Sequence, residues 1–346
     1  MMLDDFFSPY LVPTDSKKGK FNMDVLVSIN CITYNHENYI ADAIESFIMQ
    51  KTNFDFEIQI GEDCSTDNTR TIVQKYASMH PGKIKLITSE KNVGARQNSM
   101  RLRSNAKGKY IAICEGDDFW TDPYKLQKQV DYMESNPECS MCFHAAEIVE
   151  ESGTPTKEFV RPYQQTCKSP IEDIISGGGG FCATPSILYK KKFMEDPPEF
   201  YKNAHVGDYP MQMIVASQGY AYYIDEVMAA YRAGGHSSWT SKLNSGVNVV
   251  DKKIKVKQGD IKLLNEFNHY TYNKYESVIE NTIMLREFEI LLLENRINDI
   301  KKSKYKVFYD NLSIKEKTKI NSKFFFPKIY STIVELKSYG KLKIKR

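Results

Sequence analysis

The chain has 346 residues, 41% apolar and 26% charged, with a net charge of +3. That is enough apolar material for a sizeable core, and it excludes a disordered or collagen-like chain. At about 100–200 residues per domain, the length fits two domains or one large domain with an appendage. No uncharged apolar stretch approaches the roughly 20 residues that span a bilayer. The opening stretch MMLDDFFSPYLVPTDSKKGK carries acids where a secretory signal would be basic. No signal peptide is read there, and the expected location is the cytoplasm. Seven scattered cysteines fit free thiols better than a disulfide framework. Cys139 and Cys142 form a lone CxxC with no second ligand pair for zinc. The charge is uneven: residues 301–346 hold fourteen Lys/Arg against three Asp/Glu, so they carry +11 and the rest of the chain −8.

In chain order, DVLVSINCI at 24–32 is β-branched and apolar and reads as a buried strand. Tyr39, Ile40, Ala43, Ile44, Phe47 and Ile48 then recur at helical spacing. Phe56, Ile58 and Ile60 alternate as a second strand that ends at Gly61-Glu62-Asp63. Ser65, Thr66 and Asp67 offer capping side chains to a helix carrying Ile72, Val73, Tyr76 and Ala77, which Pro81-Gly82 stops. Ile84 to Thr88 is a third strand, followed by a helix from about Ala95 to Ala106. Tyr110 to Cys114 is a fourth strand that runs into Glu115-Gly116-Asp117-Asp118. Asp122-Pro123 starts a helix to about Ser135, and 140–149 is another strand. Beyond it, 152–170 reads as loop, Gly177 to Gly180 as four consecutive glycines, Ser186–Tyr189 as a short strand, Asp208–Ser217 as a helix and Tyr220–Tyr231 as a strand. After Val247 the chain reads as helical, with one long amphipathic segment from Val278 to Ile297.

Strands that alternate with helices predict an α/β fold with a mainly parallel central sheet flanked by helices. Ligands in such sheets sit beyond the carboxyl ends of the strands. The polar clusters Thr33–His36, Glu62–Asp67 and Glu115–Asp118 all fall at those ends. Three carboxylates crowded at one strand end need a counter-charge, and Mg²⁺ or Mn²⁺ is the natural one. The plain alternative is a solvated turn that caps the next helix. Glu62-Asp63 can accept hydrogen bonds from a nucleobase edge or ribose hydroxyls, or serve as turn and cap. No GxGxxG follows the first strand and no GxxxxGK[ST] occurs, which argues against a dinucleotide site or a P-loop.

The stretches VSINCITYNHENYIADAIESFIMQ, FEIQIGEDCSTDNT, NVGARQNSMRL and GKYIAICEGDDFW, in this order and spacing, resemble the family 2 glycosyltransferases. The resemblance covers about residues 24–150 strongly and 151–240 weakly. It implies the GT-A fold and an inverting enzyme that binds a nucleoside diphosphate sugar, a UDP-sugar by expectation, with Mn²⁺ or Mg²⁺. It implies that Asp63 matches the acid that contacts the base, and that Thr33, Tyr34, Asn35 and Glu62 line the nucleotide pocket. Asp117 and Asp118 match the metal-and-ribose pair that ends the family's acidic motif. Ile32 departs from the family pattern, as do Glu62 and Glu115 in place of aspartates. The Arg-Asn pair after the NxG turn is irregular, with Arg96 and Asn98 as the nearby candidates and Arg96 assigned to the donor. The resemblance also places a catalytic base at Asp208, in His205-Val206-Gly207-Asp208-Tyr209 at a helix start. Its ordinary alternative is a helix cap.

His236 in YRAGGHSSW is a candidate for the metal or the diphosphate, or a structural histidine. Trp120 and Trp239 are candidates for stacking on a sugar or for plain packing, and the glycine run for an acceptor lid, a tight backbone approach or a linker. The organisation expected is an N-terminal extension over 1–23, a nucleotide-sugar half over 24–150, and an acceptor and catalytic-base half over 151–246. A helical extension over 247–346 follows, ending in the basic tail. That tail interleaves aromatics with lysines and is a candidate for peripheral contact with an anionic membrane at its inner face. No nucleic-acid module accompanies the charge, and the C-terminal helices are a candidate surface for a homo-oligomer. The function expected is transfer of a sugar to a hydroxyl of a glycan or lipid-linked glycan in polysaccharide biosynthesis. Two rivals stand beside it: a catalytically silent glycan-binding or scaffold protein, and a sugar nucleotidyltransferase. The second would show a glycine-rich signature with Arg and Lys near the first strand, which ITYNHENYI lacks.

Overall fold

The computed structural model describes residues 25–234 and 239–325. The first half alternates strand and helix as the periodicities require: β1 (Val27–Thr33), α1 (Ile40–Ile48), β2 (Phe56–Glu62), α2 (Thr69–Met79), β3 (Ile84–Thr88), α3 (Ala95–Asn105) and β4 (Tyr110–Ile113). The two-residue β5 (Phe119–Trp120) precedes α4 (Lys125–Ser135) and the long β6 (Cys139–Val149). The second half holds β7 (Pro155–Val160), β8 (Cys167–Ser169), α5 (Ile171–Gly177), β9 (Leu188–Lys190), α6 (Glu199–Asn203), α7 (Asp208–Ser217) and β10 (Tyr220–Arg232). The helices α8 (Trp239–Asn244), α9 (Val249–Tyr270), α10 (Glu276–Leu293), α11 (Ile297–Lys301), α12 (Lys306–Asn311) and α13 (Ile314–Phe325) follow.

The ten strands of the described residues form one sheet in the order β3-β2-β1-β4-β9-β6-β10-β5, with β7 on β6 and β8 on β10. The strands β3, β2, β1 and β4 run parallel, as their crossover helices demand. The second half makes the sheet mixed: β9 lies antiparallel between β4 and β6, while β6 and β10 are parallel. The boundary near residue 150 therefore divides a continuous sheet, since β6 of the first half sits between β9 and β10 of the second. β7 and β8 lie in the segment expected to be loop. Each is a short strand pairing antiparallel with a longer one, and β7 is largely exposed.

Strand β2 is buried along its whole length, as a strand covered on both faces should be. One core cluster packs α1 and α4 on the sheet; α1 supplies Ile40, Ala43, Ile44 and Phe47 from a single face. A second joins Phe143 and Tyr223 to α7 and to Leu263, Leu264 and Phe267 of α9. That is why α7 is buried from Tyr209 through Ala216. The helices α9 and α10 form a hairpin around a turn where Tyr272 and Asn273 have φ of +53° and +60°. The expected long amphipathic segment is interrupted after α10, at Asn295 with φ +61°.

Trp120 belongs to the core. It is 1% exposed, meets Phe47 edge-on at 4.9 Å, and donates from Nε1 to the Pro185 carbonyl at 2.8 Å. Trp120→Ala should cost about 3–5 kcal/mol of stability, the usual toll of emptying so large a buried volume. Denaturant unfolding measures this, and a loss below about 1 kcal/mol would contradict the packing role. All seven cysteines are free, and Cys139 and Cys142 are buried on β6. Among the described residues no helix is long and apolar enough to cross a membrane. His236, the N-terminal extension and most of the basic tail lie outside the described residues.

Candidate active site

The carboxyl ends of β1, β2, β4 and β10 meet at one rim. The Asp63 amide donates to the Thr33 carbonyl at 3.0 Å, and the Gly116 amide to the Ile32 carbonyl at 2.9 Å. A Cβ on Gly116 would fall 2.7 Å from Thr33 Oγ1, so glycine is what lets the acidic turn lie against β1. Asp118 is 2% exposed and accepts at Oδ1 from the Arg232 amide at 2.7 Å. Its Oδ2, Asp117 Oδ1 and Thr33 Oγ1 are buried and find no partner among the described residues. Arg232 braces the turn. It donates from Nε to the Asp117 carbonyl at 2.8 Å, from Nη1 to the Glu151 carbonyl at 2.7 Å, and from Nη2 to Asp42 at 3.1 Å. His36 Nε2 lies 3.9 Å from Asp117 Oδ2. Buried orphaned polar oxygens are costly to leave unmade, and an all-oxygen set with two carboxylates suits a hard cation. Among the described residues no three His, Cys, Asp or Glu side chains converge enough to hold a metal ion unaided.

The other expected donor residues are engaged by the protein. Glu62 accepts from the Ser65 amide and from Arg70 Nε. Asp63 accepts from Ser89 Oγ at 3.0 Å and from the amides of Val93 and Gly94 at 2.9 and 2.8 Å. It therefore latches the loop that leads into α3. Asn35, at φ +56°, accepts from the Thr66 amide at 2.8 Å and ties the first turn to the second. Tyr34 is half-buried beside it. Arg96 donates to the carbonyls of Tyr201, Ala204 and Val206, so its guanidinium clamps the segment ahead of α7. Its neighbour Asn98 donates to the Gly61 carbonyl at 2.6 Å.

Asp208 opens α7, and its Oδ1 accepts from the Tyr209 amide at 2.8 Å. A Cβ on Gly179 would fall 3.1 Å from Asp208 Oδ2. The glycine run is therefore a tight backbone approach to this carboxylate. Burial raises the Asp208 pKa and Asp260 adds to the rise, while His205 opposes it. Glu115 is pushed up to about 8 by burial, then by Asp117 and by Asp208. Asp208 therefore lies within electrostatic reach of the acidic turn. Burial and then Asp117 hold Asp118 well above the usual carboxylate range.

These shifts have a sign. Between its ordinary value near 4.5 and about 8, Glu115 keeps a proton in the folded chain that the unfolded chain has lost. The metal-free protein should therefore lose stability as pH rises from about 5 to about 9. Melting temperatures across that range should fall, and Glu115→Gln should flatten the slope. An equally steep slope in the variant would remove Glu115 as its source.

Arg232, which the structure brings to the Asp117–Asp118 turn, is not among the site residues expected from the sequence, and His36 is there only as part of the Thr33–His36 turn. The one local signal for Arg232 was an arginine at a strand end ahead of Gly234-Gly235.

The profile of the family described as Glycosyl transferase family 2 matches residues 28–196. An uncharacterised protein of Mycobacterium tuberculosis is 35% identical over 215 residues, 62% of this chain and 61% of its own length. The chain thus spans less than two thirds of that relative. A Bacillus subtilis protein named as a teichuronic acid biosynthesis glycosyltransferase, TuaG, is 28% identical over 64% of this chain and 84% of its own. The Escherichia coli UDP-Glc:alpha-D-GlcNAc-diphosphoundecaprenol beta-1,3-glucosyltransferase WfgD is 33% identical over 41% of this chain and 54% of its own. Among solved structures, S. aureus TarS in complex with UDP aligns with a TM-score of 0.54 at 17% identity, over 85% of this chain and 77% of its own. The mannosyltransferase PcManGT from Pyrobaculum calidifontis, in complex with GDP-Man and Mn²⁺, aligns with a TM-score of 0.54 at 14% identity, over 92% and 88%. At those identities the likeness establishes the GT-A fold alone. The profile match runs across the strands that carry the acidic rim, and residues 28–196 are those of a glycosyl transferase family 2 domain.

Proposed function

We propose that this protein transfers a sugar, with inversion, from a nucleoside diphosphate sugar to a hydroxyl of a glycan or lipid-linked glycan. The observation that carries the reading is the pair of orphaned buried oxygens, Asp118 Oδ2 and Asp117 Oδ1, with Asp208 within electrostatic reach of the same turn. Asp117 and Asp118 would hold Mn²⁺ or Mg²⁺ together with the donor's diphosphate. A cation so held offsets the charge that builds on the departing diphosphate. Thr33, Tyr34 and Asn35, with the turn held by Glu62 and the loop held by Asp63, shape the nucleoside pocket. Arg96 acts on the base segment through the three carbonyls it grips. The Asp208 carboxylate takes the proton of the acceptor hydroxyl. That oxygen bonds to the anomeric carbon from the face opposite the diphosphate, and the carbon–oxygen bond to the diphosphate breaks with its electron pair.

UDP in TarS, and GDP-Man with Mn²⁺ in PcManGT, support a nucleotide-sugar donor and a divalent metal. The names of TuaG and WfgD support a cell-surface polysaccharide built on a lipid-linked acceptor. The basic 301–346 segment supports work at the cytoplasmic face of an anionic membrane. The test is a panel of UDP- and GDP-sugars incubated with the full chain and Mn²⁺. One donor should release its nucleotide slowly, and EDTA should stop the release. If no donor is hydrolysed and none binds in a metal-dependent way, the silent scaffold reading takes its place.

A further inference from the structure

We infer that Asp260, on α9, is a positioning residue for the base, and that the α9–α10 hairpin is thereby part of the active site. The inference rests on Asp208 being that base. One carboxylate holds both walls around Asp208. Asp260 Oδ1 pairs with His205 Nε2 at 2.9 Å, three residues ahead of the base. Asp260 Oδ2 pairs with Arg286 Nε of α10 at 3.4 Å. The His205 ring lies flat against α9: a Cβ on Gly259 would fall 2.6 Å from its Cγ and Nδ1. Arg286 in turn lies under the glycine run, with Nη2 3.0 Å from where a Cβ on Gly178 would be. The next residue, Gly179, presses on Asp208 Oδ2 and its carbonyl accepts from Gln212 Nε2 of α7 at 3.3 Å. Glu289 braces the far side, accepting from Arg286 Nη1 at 3.2 Å and from Lys257 at 2.7 Å.

The side chains of Asp260 and Arg286 are 16% and 11% exposed. An ion pair so far out of water is a weak source of stability. Its consequence lies in the geometry it fixes. His205, Asp260 and Arg286 all lie beyond the 28–196 segment that the family profile covers. The hairpin holds the base loop and the glycine wall in register. A displacement of about 1 Å at a reacting group can cost about 10²-fold in rate.

The experiment is steady-state Mn²⁺-dependent hydrolysis of the best UDP- or GDP-sugar by full-length Asp260→Asn, Arg286→Lys, Arg286→Gln and Asp208→Asn. Asp260→Asn should lower kcat by about 10- to 100-fold with donor KM unchanged. Arg286→Lys, which keeps the charge, should retain more activity than Arg286→Gln. Wild-type kcat in Asp260→Asn while Asp208→Asn is inactive would overturn the positioning role and leave the base in place. Wild-type rates in Asp208→Asn would instead overturn the base itself. Should Asp260→Asn fail to fold, equal activity in the two Arg286 variants decides against the inference.

Discussion

Asp118→Asn is expected to weaken Mn²⁺-dependent UDP binding by more than about 100-fold while making the metal-free protein more stable. The two effects have one origin. Asp118 is a buried acid whose carboxyl is held well above its usual range by burial and by Asp117. Asparagine has the same shape and keeps an acceptor for the Arg232 amide, which Asp118 Oδ1 now serves at 2.7 Å. It also places N–H donors where Oδ2 has no partner, among carboxylates that can accept them. The folded chain gains N–H donors for those acceptors and no longer carries an acid whose ionisation burial opposes, each of which stabilises. What it loses is the charge that holds the cation, and a hundredfold drop corresponds to about 2.7 kcal/mol of binding free energy. Titration calorimetry of UDP in the presence and absence of Mn²⁺, beside thermal unfolding of the metal-free protein, reads both. Undiminished metal-dependent affinity in the variant would take Asp118 out of the metal site. Asp63→Asn is the informative contrast. Asp63 already accepts from Ser89, Val93 and Gly94, so an amide there must turn a donor toward one of them. That variant should lose about 1–3 kcal/mol of stability.

The contrast between these two acids marks how far the sequence could be read. Local chemistry was legible. The β-branched runs became buried strands, α7 spans the expected Asp208–Ser217, and β10 ends one residue beyond the expected Tyr231. The acidic turn after β4 was legible because its carboxylates are sequence neighbours. Partnership across the chain was not. Arg232 reaches the acidic turn from 114 residues away, and Arg96 reaches the base segment from more than 100. Neither distance leaves a periodicity or a spacing to detect. Glu62 and Asp63 carry the same charge as Asp117 and Asp118, but whether an acid awaits a ligand or grips a loop depends on which amides the fold brings to it. β5, β7 and β8 escaped because strands so short, or so exposed, leave little or no alternation to see. The expectations at His236 and the far C-terminal tail concern residues outside those described.

Asp208→Asn separates the chemistry from the binding. The Asp208 carboxylate sits at the first turn of α7, where the helix dipole favours negative charge, and its Oδ1 is fixed by the Tyr209 amide. Asparagine retains that acceptor and adds no volume against Gly179, so α7 and the glycine run should keep their places. The variant cannot take a proton from an acceptor hydroxyl. General-base assistance is typically worth about 10²–10⁴-fold, and kcat should fall by that amount with metal-dependent donor affinity retained. The opposite split, lost affinity with preserved turnover, would place Asp208 on the donor instead. The balance of charges at the rim argues for the first outcome. Glu115 is raised by burial, then by Asp117 and by Asp208; losing the Asp208 charge removes a repulsion on the anionic diphosphate and an attraction on the cation, and these opposed effects should leave metal-dependent donor affinity close to that of the wild type.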